Sequence, residues 1–297
     1  MQNLYLCETV IDNHGDEMEQ TFKPLSAGVL KDIDSGIDLE NEHPFFNSHE
    51  EADLFVENGI VPHVDALTQS VKFFDLGGGQ GLLASKVKKR LNELGFQCSA
   101  AVVDGNSKFI EQAGKKGING ILANLEEFQG HEVDLLTMRM VNHYNDAPKQ
   151  ALIARNAYQS LKKGGLFVIQ FESGSAEACE VRNRIANLLT QFFPSISYYW
   201  PPIETFLLQM QGVGFQLRGN IACEPSYSQD ITTLLRNAWQ RHAVDNRGTA
   251  NQQAFFTQAA YLVLDFFSSG DVTSQDLYES QGRFYMKTCY PIAVFQK

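Results

Sequence analysis

The stretch "VKFFDLGGGQG" (residues 71–81) decides the fold, because it joins an apolar strand to a loop with four glycines in five residues. Glycine adopts positive φ angles and has no Cβ, so a ligand can approach the main chain closely at such a loop. Between a strand and a helix, the loop would form a binding edge at the carboxyl end of a parallel sheet. The spacing alone fits several nucleotide-like ligands, and a tight structural turn is the alternative.

Strand and helix patterns alternate downstream of this loop. Residues 82–95 have apolar side chains near helical spacing and end at Gly95, and further helical segments separate apolar strands. Strands that alternate with helices of about ten or more residues predict a Rossmann-like, mostly parallel α/β sheet with helices on both faces. The seven predicted strands are "VKFFDL", "CSAAVVDG", "INGILANL", "EVDLLTMRMV", "LFVIQFES", "FQLRGNIACEP" and "YPIAVFQK".

We expect four segments along the chain. Residues 1–69 form an N-terminal arm followed by helices, and residues 70–226 form the Rossmann-like domain. Residues 227–283 form a helical cap insertion. Residues 284–297 return to the Rossmann-like sheet as its last strand.

Composition counts against several classes of protein. The 297 residues carry a formal net charge of −11, whereas proteins that bind duplex nucleic acid present a basic face. The five cysteines form no C-x-x-C pair, so neither a disulfide framework nor a structural zinc site is indicated. The sequence has no apolar run of about 18 residues and no signal-peptide pattern. We therefore expect a cytoplasmic protein that binds neither nucleic acid nor membranes.

Two further positions narrow the choice of ligand. Asp104 ends the strand "AAVVD", where a carboxylate can accept hydrogen bonds from both hydroxyls of a ribose, and capping of the next helix is the alternative role. A dinucleotide-binding loop has the pattern G-x-G-x-x-G, but the third glycine position is Leu82 here. This difference favours S-adenosylmethionine (SAM) over a nicotinamide or flavin cofactor.

From Val71 to about Phe171 the sequence resembles the class I SAM-dependent methyltransferases, and most closely the small-molecule O-methyltransferases of the plant and acetylserotonin type. The segment "FFDLGGGQG" is similar to their D-x-G-G-G-x-G loop, and "VVDGNSKFIEQA" is similar to their acidic strand end. The segment "MRMVNHYND" is similar to their K-R-V-L-H-D-W-S-D sequence. The segment "AYQSLKKGGLFVIQFE", which ends at Glu172, is similar to their L-x-P-G-G strand entry.

The resemblance implies that SAM lies along the carboxyl edge of the sheet. The loop would shape the pocket for the methionine end of SAM, and Asp104 would hold the ribose. Arg139 would follow its strand past the sulfonium, with a structural ion pair as the alternative. The implied cofactor-binding residues are Asp75, Gly77, Gly78, Gly79, Gly81, Asp104, Gly105, Asn124, Leu125, Met138 and Arg139.

The catalytic position departs from this family. The general base of the family is the histidine of its H-D-W sequence, but this position is Asn142, and His143 follows it. A neutral histidine can accept a proton from a phenol, whereas an asparagine cannot. Either His143 serves as the base or the acceptor needs none. His143 and Arg139 are the candidate catalytic residues, and a supporting hydrogen-bonded role is the alternative for His143. The metal-dependent catechol methyltransferases have a D-N pair after the corresponding strand, and no such pair follows "LFVIQF" here. We therefore expect no metal ion at the site.

The sequence thus predicts a SAM-dependent methyltransferase for a small, aromatic or apolar acceptor, with transfer to oxygen favoured. Aromatic residues of "FFPSISYYWPP" (192–202) and of the insertion would either roof the acceptor pocket or form the core of a helical cap. Two alternatives stay open: a SAM-binding protein without methyl transfer, which Asn142 suggests, and a methyltransferase acting on RNA or protein. The N-terminal arm is a candidate for pairing two subunits in a homodimer.

Overall fold

The computed structural model describes residues 48–194, 197–219, 222–223, 227–242, 249–268 and 276–297. Most of the predicted N-terminal arm, residues 1–47, therefore lies outside the described residues. The first described helix is α1 (His49–Phe55), which Ser48 caps by accepting a hydrogen bond from the Glu51 N–H at 3.2 Å. A π-helical turn (Val56–Ile60) and a 3-10 helix (Val61–Ala66) continue it to the first strand.

A large sheet forms the centre of the domain. Its strands follow the order β3-β2-β1-β4-β5-β11-β6, and β7 also pairs with β11. The pairs among β1 to β5 are parallel, and β11 runs antiparallel to β5, β6 and β7. The bounds are β1 (Ser70–Leu76), β2 (Gln97–Asp104), β3 (Asn119–Leu122), β4 (Val133–Arg139), β5 (Leu161–Gln170), β6 (Gln216–Leu217), β7 (Ala222–Cys223) and β11 (Pro291–Gln296).

This sheet confirms the predicted Rossmann-like fold. All seven predicted segments contribute to it, and "FQLRGNIACEP" is divided into the two short strands β6 and β7 at the same edge. The chain moves outward from β1 to β3 and then returns to β4 on the other side of β1. A reversal of this kind opens a crevice outside the carboxyl ends of the two central strands. The glycine loop follows β1 at this crevice.

Helices cover both faces of the sheet because the central strands are apolar on both sides. Val102 belongs to one core, with α1, α2 and α3, and its neighbour Val103 belongs to the other core, with α4 and α6. The bounds of these helices are α2 (Leu82–Glu93), α3 (Ser107–Lys115), α4 (Ala147–Ser160) and α6 (Ile203–Val213).

A third core lies in the region of the insertion. It joins α5 (Ala176–Phe192), α7 (Ile231–His242) and α8 (Thr249–Ser268), and it buries Phe255 and Met286 completely. Helices α7 and α8 agree with the helical patterns in the sequence. None of the helices in the described part of the chain combines the length and apolar character that a membrane span requires.

The insertion is not purely helical, and its predicted end needs correction. Strands β8 (Tyr227–Asp230), β9 (Leu277–Ser280) and β10 (Arg283–Thr288) form a separate antiparallel sheet in the order β8-β10-β9. The predicted last strand, residues 284–297, is therefore divided, and the main sheet resumes only at Pro291. The missed signal is the pair Gln281 and Gly282, whose φ angles of 53° and 73° form the two-residue turn of a β-hairpin.

Candidate functional site

The glycine loop crosses the carboxyl end of β1 and is tied to both neighbouring strands. Gly77, Gly79 and Gly81 have φ angles of 66°, 53° and 80°, which favour glycine. The Gly77 N–H donates to the Val103 carbonyl of β2 at 2.7 Å. A Cβ on Gly77 would lie 2.6 Å from Val141 Cγ2, so the loop also touches the segment that follows β4.

Asp75 supports this loop from the end of β1. Its side chain is 1% exposed, and its Oδ1 accepts a hydrogen bond from Thr137 Oγ1 at 2.7 Å. A Cβ on Gly78 would lie 2.6 Å from Asp75 Oδ2. Gly81 then begins α2, where a Cβ would lie 3.3 Å from the Cβ of Ala113. Packing and backbone conformation therefore both require glycine at Gly77, and packing requires it at Gly78.

Asp104 connects the glycine loop to the end of β2. Its Oδ2 accepts a hydrogen bond from the Gly79 N–H at 3.0 Å, and its Oδ1 accepts one from the Asn106 N–H at 2.8 Å. Burial raises the pKa of the Asp104 carboxyl, and these two N–H groups oppose part of that rise. Both oxygens keep a further lone pair, so the carboxylate can accept hydroxyl donors in addition.

The segment after β3 lies beside Asp104. A Cβ on Gly105 would come within 3.4 Å of Asn124 Oδ1, so these two residues are neighbours. The Asn124 side chain is exposed, and the main-chain carbonyl of Asn124 accepts hydrogen bonds from the N–H groups of Glu127 and Phe128. Leu125 is half-buried against the core that holds α4 and α6. A polar and an apolar side chain thus follow each other at this edge.

The chain turns sharply where β4 ends. Met138 and Arg139 are buried, and the Arg139 Nε donates to Gln170 Oε1 of β5 at 3.1 Å. Met140 has a φ of 59°, a conformation that is uncommon for a residue with a side chain. Its N–H donates to the Gln170 carbonyl at 2.8 Å, which holds the turn in place. Strained residues of this kind are concentrated at functional sites.

His143 lies in the 3-10 turn (Asn142–Tyr144) that follows. Its side chain is nearly buried, and its Nε2 lies 3.9 Å from Glu172 Oε2. The imidazole stacks on the indole of Trp200 with ring centroids 5.7 Å apart and an angle of 13° between the planes. The structure therefore brings together the candidate base, a carboxylate and an aromatic ring.

Glu172 is the acidic member of this group. It forms an ion pair with Arg182 of α5, and its Oε2 accepts a hydrogen bond from Trp200 Nε1 at 2.8 Å. Burial alone would raise the pKa of the Glu172 carboxyl, but Arg182, His143 and the hydrogen bonds outweigh it and lower the pKa to about 2. The carboxylate is therefore ionised at neutral pH, next to the imidazole of His143.

The role of Arg182 was not predicted from the sequence. Its guanidinium is buried and donates to Gln229 Oε1 at 3.0 Å and to Thr288 Oγ1, in addition to Glu172. It also lies 5.6 Å from the centroid of the Trp200 ring. The available signal was its position on α5, because Arg182 occurs among the apolar residues of the face that packs against the core. A charge at such a position indicates a buried partner.

Residues 197–202, which we call the strap, lie across His143. The Tyr199 N–H donates to the His143 carbonyl at 3.2 Å, and Ser173 Oγ donates to the Pro201 carbonyl at 2.8 Å. Trp200 exchanges two hydrogen bonds with the side chain of Asn183 on α5. Of the two roles considered for the aromatic residues, Trp200 stacks on His143 at the site, whereas Trp239, Phe255 and Phe266 lie in the third core, against which Tyr198 of the strap also packs.

A cavity of about 680 Å³ lies on α8, and neither the glycine loop nor the strap contributes to its lining. The lining residues are Gln252, Gln253, Phe256, Thr257, Ala260, Tyr261 and Leu264. Across the described ranges, no group of three or more His, Cys, Asp or Glu side chains is arranged to hold a metal ion. The expectation of a metal-independent reaction stays a prediction.

Comparison with known proteins identifies the central part of the chain. A family model described as a methyltransferase domain matches residues 74–169, which run from the end of β1 to the end of β5. No curated protein sequence matches the chain. The segments that suggested the resemblance to methyltransferases, from the glycine loop to β5, therefore fall largely within the matched residues.

Solved structures share the fold at low sequence identity. A candidate methyltransferase of Bacillus halodurans C-125 is 14% identical with a TM-score of 0.56, and the match covers 84% of this chain and 99% of that one. The YcgJ protein of Bacillus subtilis is 12% identical with a TM-score of 0.54, again covering 84% of this chain and 99% of that one. Both likenesses concern the fold.

SAM is the cofactor that the sequence predicts for this domain. Two observations on the chain fit it: the glycine loop has no room for a Cβ at Gly77 or Gly78, and the Asp104 carboxylate lies beside the loop. The resemblance to the plant and acetylserotonin enzymes in particular is not carried by these comparisons. From the end of β1 to the end of β5, the chain is thus similar to a methyltransferase domain.

Proposed function

We propose that the protein transfers the methyl group of SAM to an oxygen atom of a small aromatic or apolar acceptor. The observation that carries this proposal is the grouping of His143, Glu172 and Trp200 after the ends of β4 and β5. Val141, two residues before His143, would contact a Cβ on Gly77. A ligand in the glycine loop and an acceptor under the strap would therefore be neighbours.

The cofactor edge would bind SAM through the residues that end β1 to β4. When bound, SAM supplies a methyl group that its sulfonium already activates, so orientation contributes much of the rate. Gly77, Gly78, Gly79 and Gly81 would admit the methionine end, and Asp75 would support them. Asp104 would accept the ribose hydroxyls, with Gly105, Asn124 and Leu125 beside the adenine. Met138 and Arg139 would form the wall near the sulfonium.

The aromatic residues of the strap favour an aromatic or apolar acceptor. Tyr198, Tyr199 and Trp200 are half-buried, and the ring centroids of Tyr198 and Trp200 lie 5.4 Å apart. Apolar and aromatic walls with a few oriented polar groups are typical of sites for small ligands. Because Arg182 already neutralises Glu172, the nearby charges are paired, which favours an acceptor without a net charge.

His143 would accept the proton that an acceptor hydroxyl releases. The ionised Glu172 carboxylate, 3.9 Å from His143 Nε2, would stabilise the imidazolium that forms. This arrangement provides a base one residue after the position where the family has its histidine. Arg139, which is bonded to Gln170, would orient the end of β4 and leave proton transfer to His143.

The test is transfer of a labelled methyl group from SAM to a panel of small phenols, amines and carboxylic acids. We expect labelled phenols, and in His143→Gln we expect kcat to fall by about 10²–10⁴-fold, because general base catalysis contributes about this factor. The dissociation constant of SAM, measured by calorimetry, should not change. His131→Gln is the matched control, since His131 is exposed.

Three results would contradict this proposal. Equal kcat values for His143→Gln and the wild type would exclude the base. Labelling of RNA or protein, with no small molecule labelled, would exclude the acceptor class. Tight SAM binding without turnover on any acceptor would favour a SAM-binding protein instead.

A further inference from the structure

Gln150 makes an unusual number of hydrogen bonds for one buried side chain. It lies on α4, is 1% exposed, and its Oε1 accepts a hydrogen bond from Asn142 Nδ2 at 2.9 Å. Its Nε2 lies within 2.8–2.9 Å of the carbonyl oxygens of Asn142, Asn145 and Tyr199. These partners belong to the 3-10 turn, to the residue after that turn, and to the strap.

The pairing explains why Asn142 differs from the histidine of the family. The Asn142 side chain is 2% exposed and its amide faces Gln150, so it points away from a position where it would touch an acceptor. His143 is the next residue and lies on the side of Glu172 and Trp200. An amide pair at Asn142 and Gln150 thus accompanies a histidine that is displaced by one residue.

We infer that Gln150 is a positioning residue of the acceptor site, which holds the His143 turn and the strap at a fixed separation. This inference rests on the proposed function. Gln150 bonds the side chain of Asn142 and the main-chain carbonyls of Asn142, Asn145 and Tyr199, so it acts on the site through these partners. Loss of its amide would let the strap and the turn move independently, and a displacement of about 1 Å at a reacting group costs roughly 10²-fold in rate.

The principal variant is Gln150→Met, which keeps the volume of the side chain and removes its hydrogen bonds. We expect kcat to fall by about 10²-fold with the SAM dissociation constant unchanged. Asn183→Ala should mainly raise the acceptor KM, because Asn183 bonds the strap but not the His143 turn. Ser160→Ala is the control for a buried polar group on the same helix, since Ser160 bonds Gly130 and Asn156 instead.

A second variant covers the case in which Gln150→Met does not fold. Asn142→Ala removes the reciprocal bond alone and should lower kcat by about 10-fold, whereas Asn142→His should not raise it, because the new ring would replace an amide that faces Gln150. Equal kcat and KM values for Asn142→Ala and the wild type, or for Gln150→Met and Ser160→Ala, would overturn the inference.

A readout without any acceptor separates this inference from the proposed function. In a Trp239→Phe background, Trp200 is the remaining tryptophan, because the chain has two. We expect Gln150→Met to shift Trp200 emission and to increase its quenching by acrylamide, since the strap is released. Emission and quenching equal to those of Ser160→Ala would overturn the inference even if methyl transfer is demonstrated. Absence of turnover in the wild type would instead contradict the proposed function and leave the fluorescence comparison valid.

Discussion

The proposed cofactor edge and the proposed acceptor side, which comprises His143, Glu172, Arg182 and the strap, are stabilised by different kinds of contact. At the cofactor edge, the main chain itself is tightly packed, as the Gly77 N–H on Val103 and the absent Cβ atoms of the loop show. On the acceptor side, long side chains join distant segments, such as Arg182 with Thr288 at a separation of 106 residues. Backbone contacts constrain one edge, whereas the other side depends on side-chain bonds that a single substitution can remove.

The largest effect on stability is expected when the charge of Glu172 on the acceptor side is removed. Glu172→Gln would leave the buried Arg182 without its ionic partner, and an uncompensated buried charge costs about 3–5 kcal/mol. Urea unfolding at pH 7 measures this loss. The control is Glu180→Gln on α5, the helix of Arg182, because Glu180 and Arg184 form an exposed pair that contributes less than about 1 kcal/mol. Equal losses in the two variants would contradict the comparison.

The same pair predicts the pH dependence of stability. The folded-state pKa of Glu172 is about 2, below its ordinary value of 4.5, so its contribution is present above pH 4.5 and is lost as the pH falls towards 2. The difference in unfolding free energy between the wild type and Glu172→Gln should therefore shrink across this range. A difference that stays constant down to pH 2.5 would argue against an ionised Glu172 in the folded protein.

The next largest effect is expected at the cofactor edge, where one added methyl group is enough to disturb the glycine loop. In Gly77→Ala, the positive φ and the 2.6 Å approach to Val141 together cost about 2–4 kcal/mol. We expect the loop to move and the SAM dissociation constant to rise by about 10²-fold in calorimetry. Gly95→Ala is the control, because Gly95 has a φ of 91° with nothing within 4 Å of a Cβ. It should lower stability but not SAM affinity.

The smallest effect is expected from a change of one atom at the same edge. Asp104→Asn would turn an amide towards one of the N–H groups that the carboxylate accepts, and it removes the charge offered to a ribose. We expect the SAM dissociation constant to rise by about 10-fold. Asp134→Asn is the control, because Asp134 accepts the Lys72 N–H at the amino end of the sheet. Equal effects on SAM binding would remove Asp104 from the cofactor edge.

The two regions also differ in how far they could be predicted. The sheet and the glycine loop could be predicted from local patterns, because the strand period, the helix period and the glycine spacing each involve residues that are close together in the sequence. The Gln150 and Arg182 contacts could not be found in this way, since their partners lie in other elements. The β9–β10 hairpin had a local signal in Gln281 and Gly282, but the helical pattern around it was extended across it.

The roles of the site residues remain predictions of the sequence, although their neighbours are now defined. His143 was considered without a partner, and the structure adds Glu172, Trp200 and the strap around it. Asn142 suggested a protein without methyl transfer, and the structure shows its side chain bonded to Gln150. This side-chain bond joins two different elements, and sequence spacing alone does not reveal it.

The position of β11 has a consequence for the order of folding. This strand lies inside the sheet, between β5 and β6, yet it follows every other described element in the sequence. Gln170 Nε2 donates to the Tyr290 carbonyl across a separation of 120 residues. During synthesis, the outer edge of β5 must therefore wait for a partner that emerges much later, and unpaired strand edges promote association between chains. Pairing with β11 thus covers the edge of β5 that stays unpaired until then.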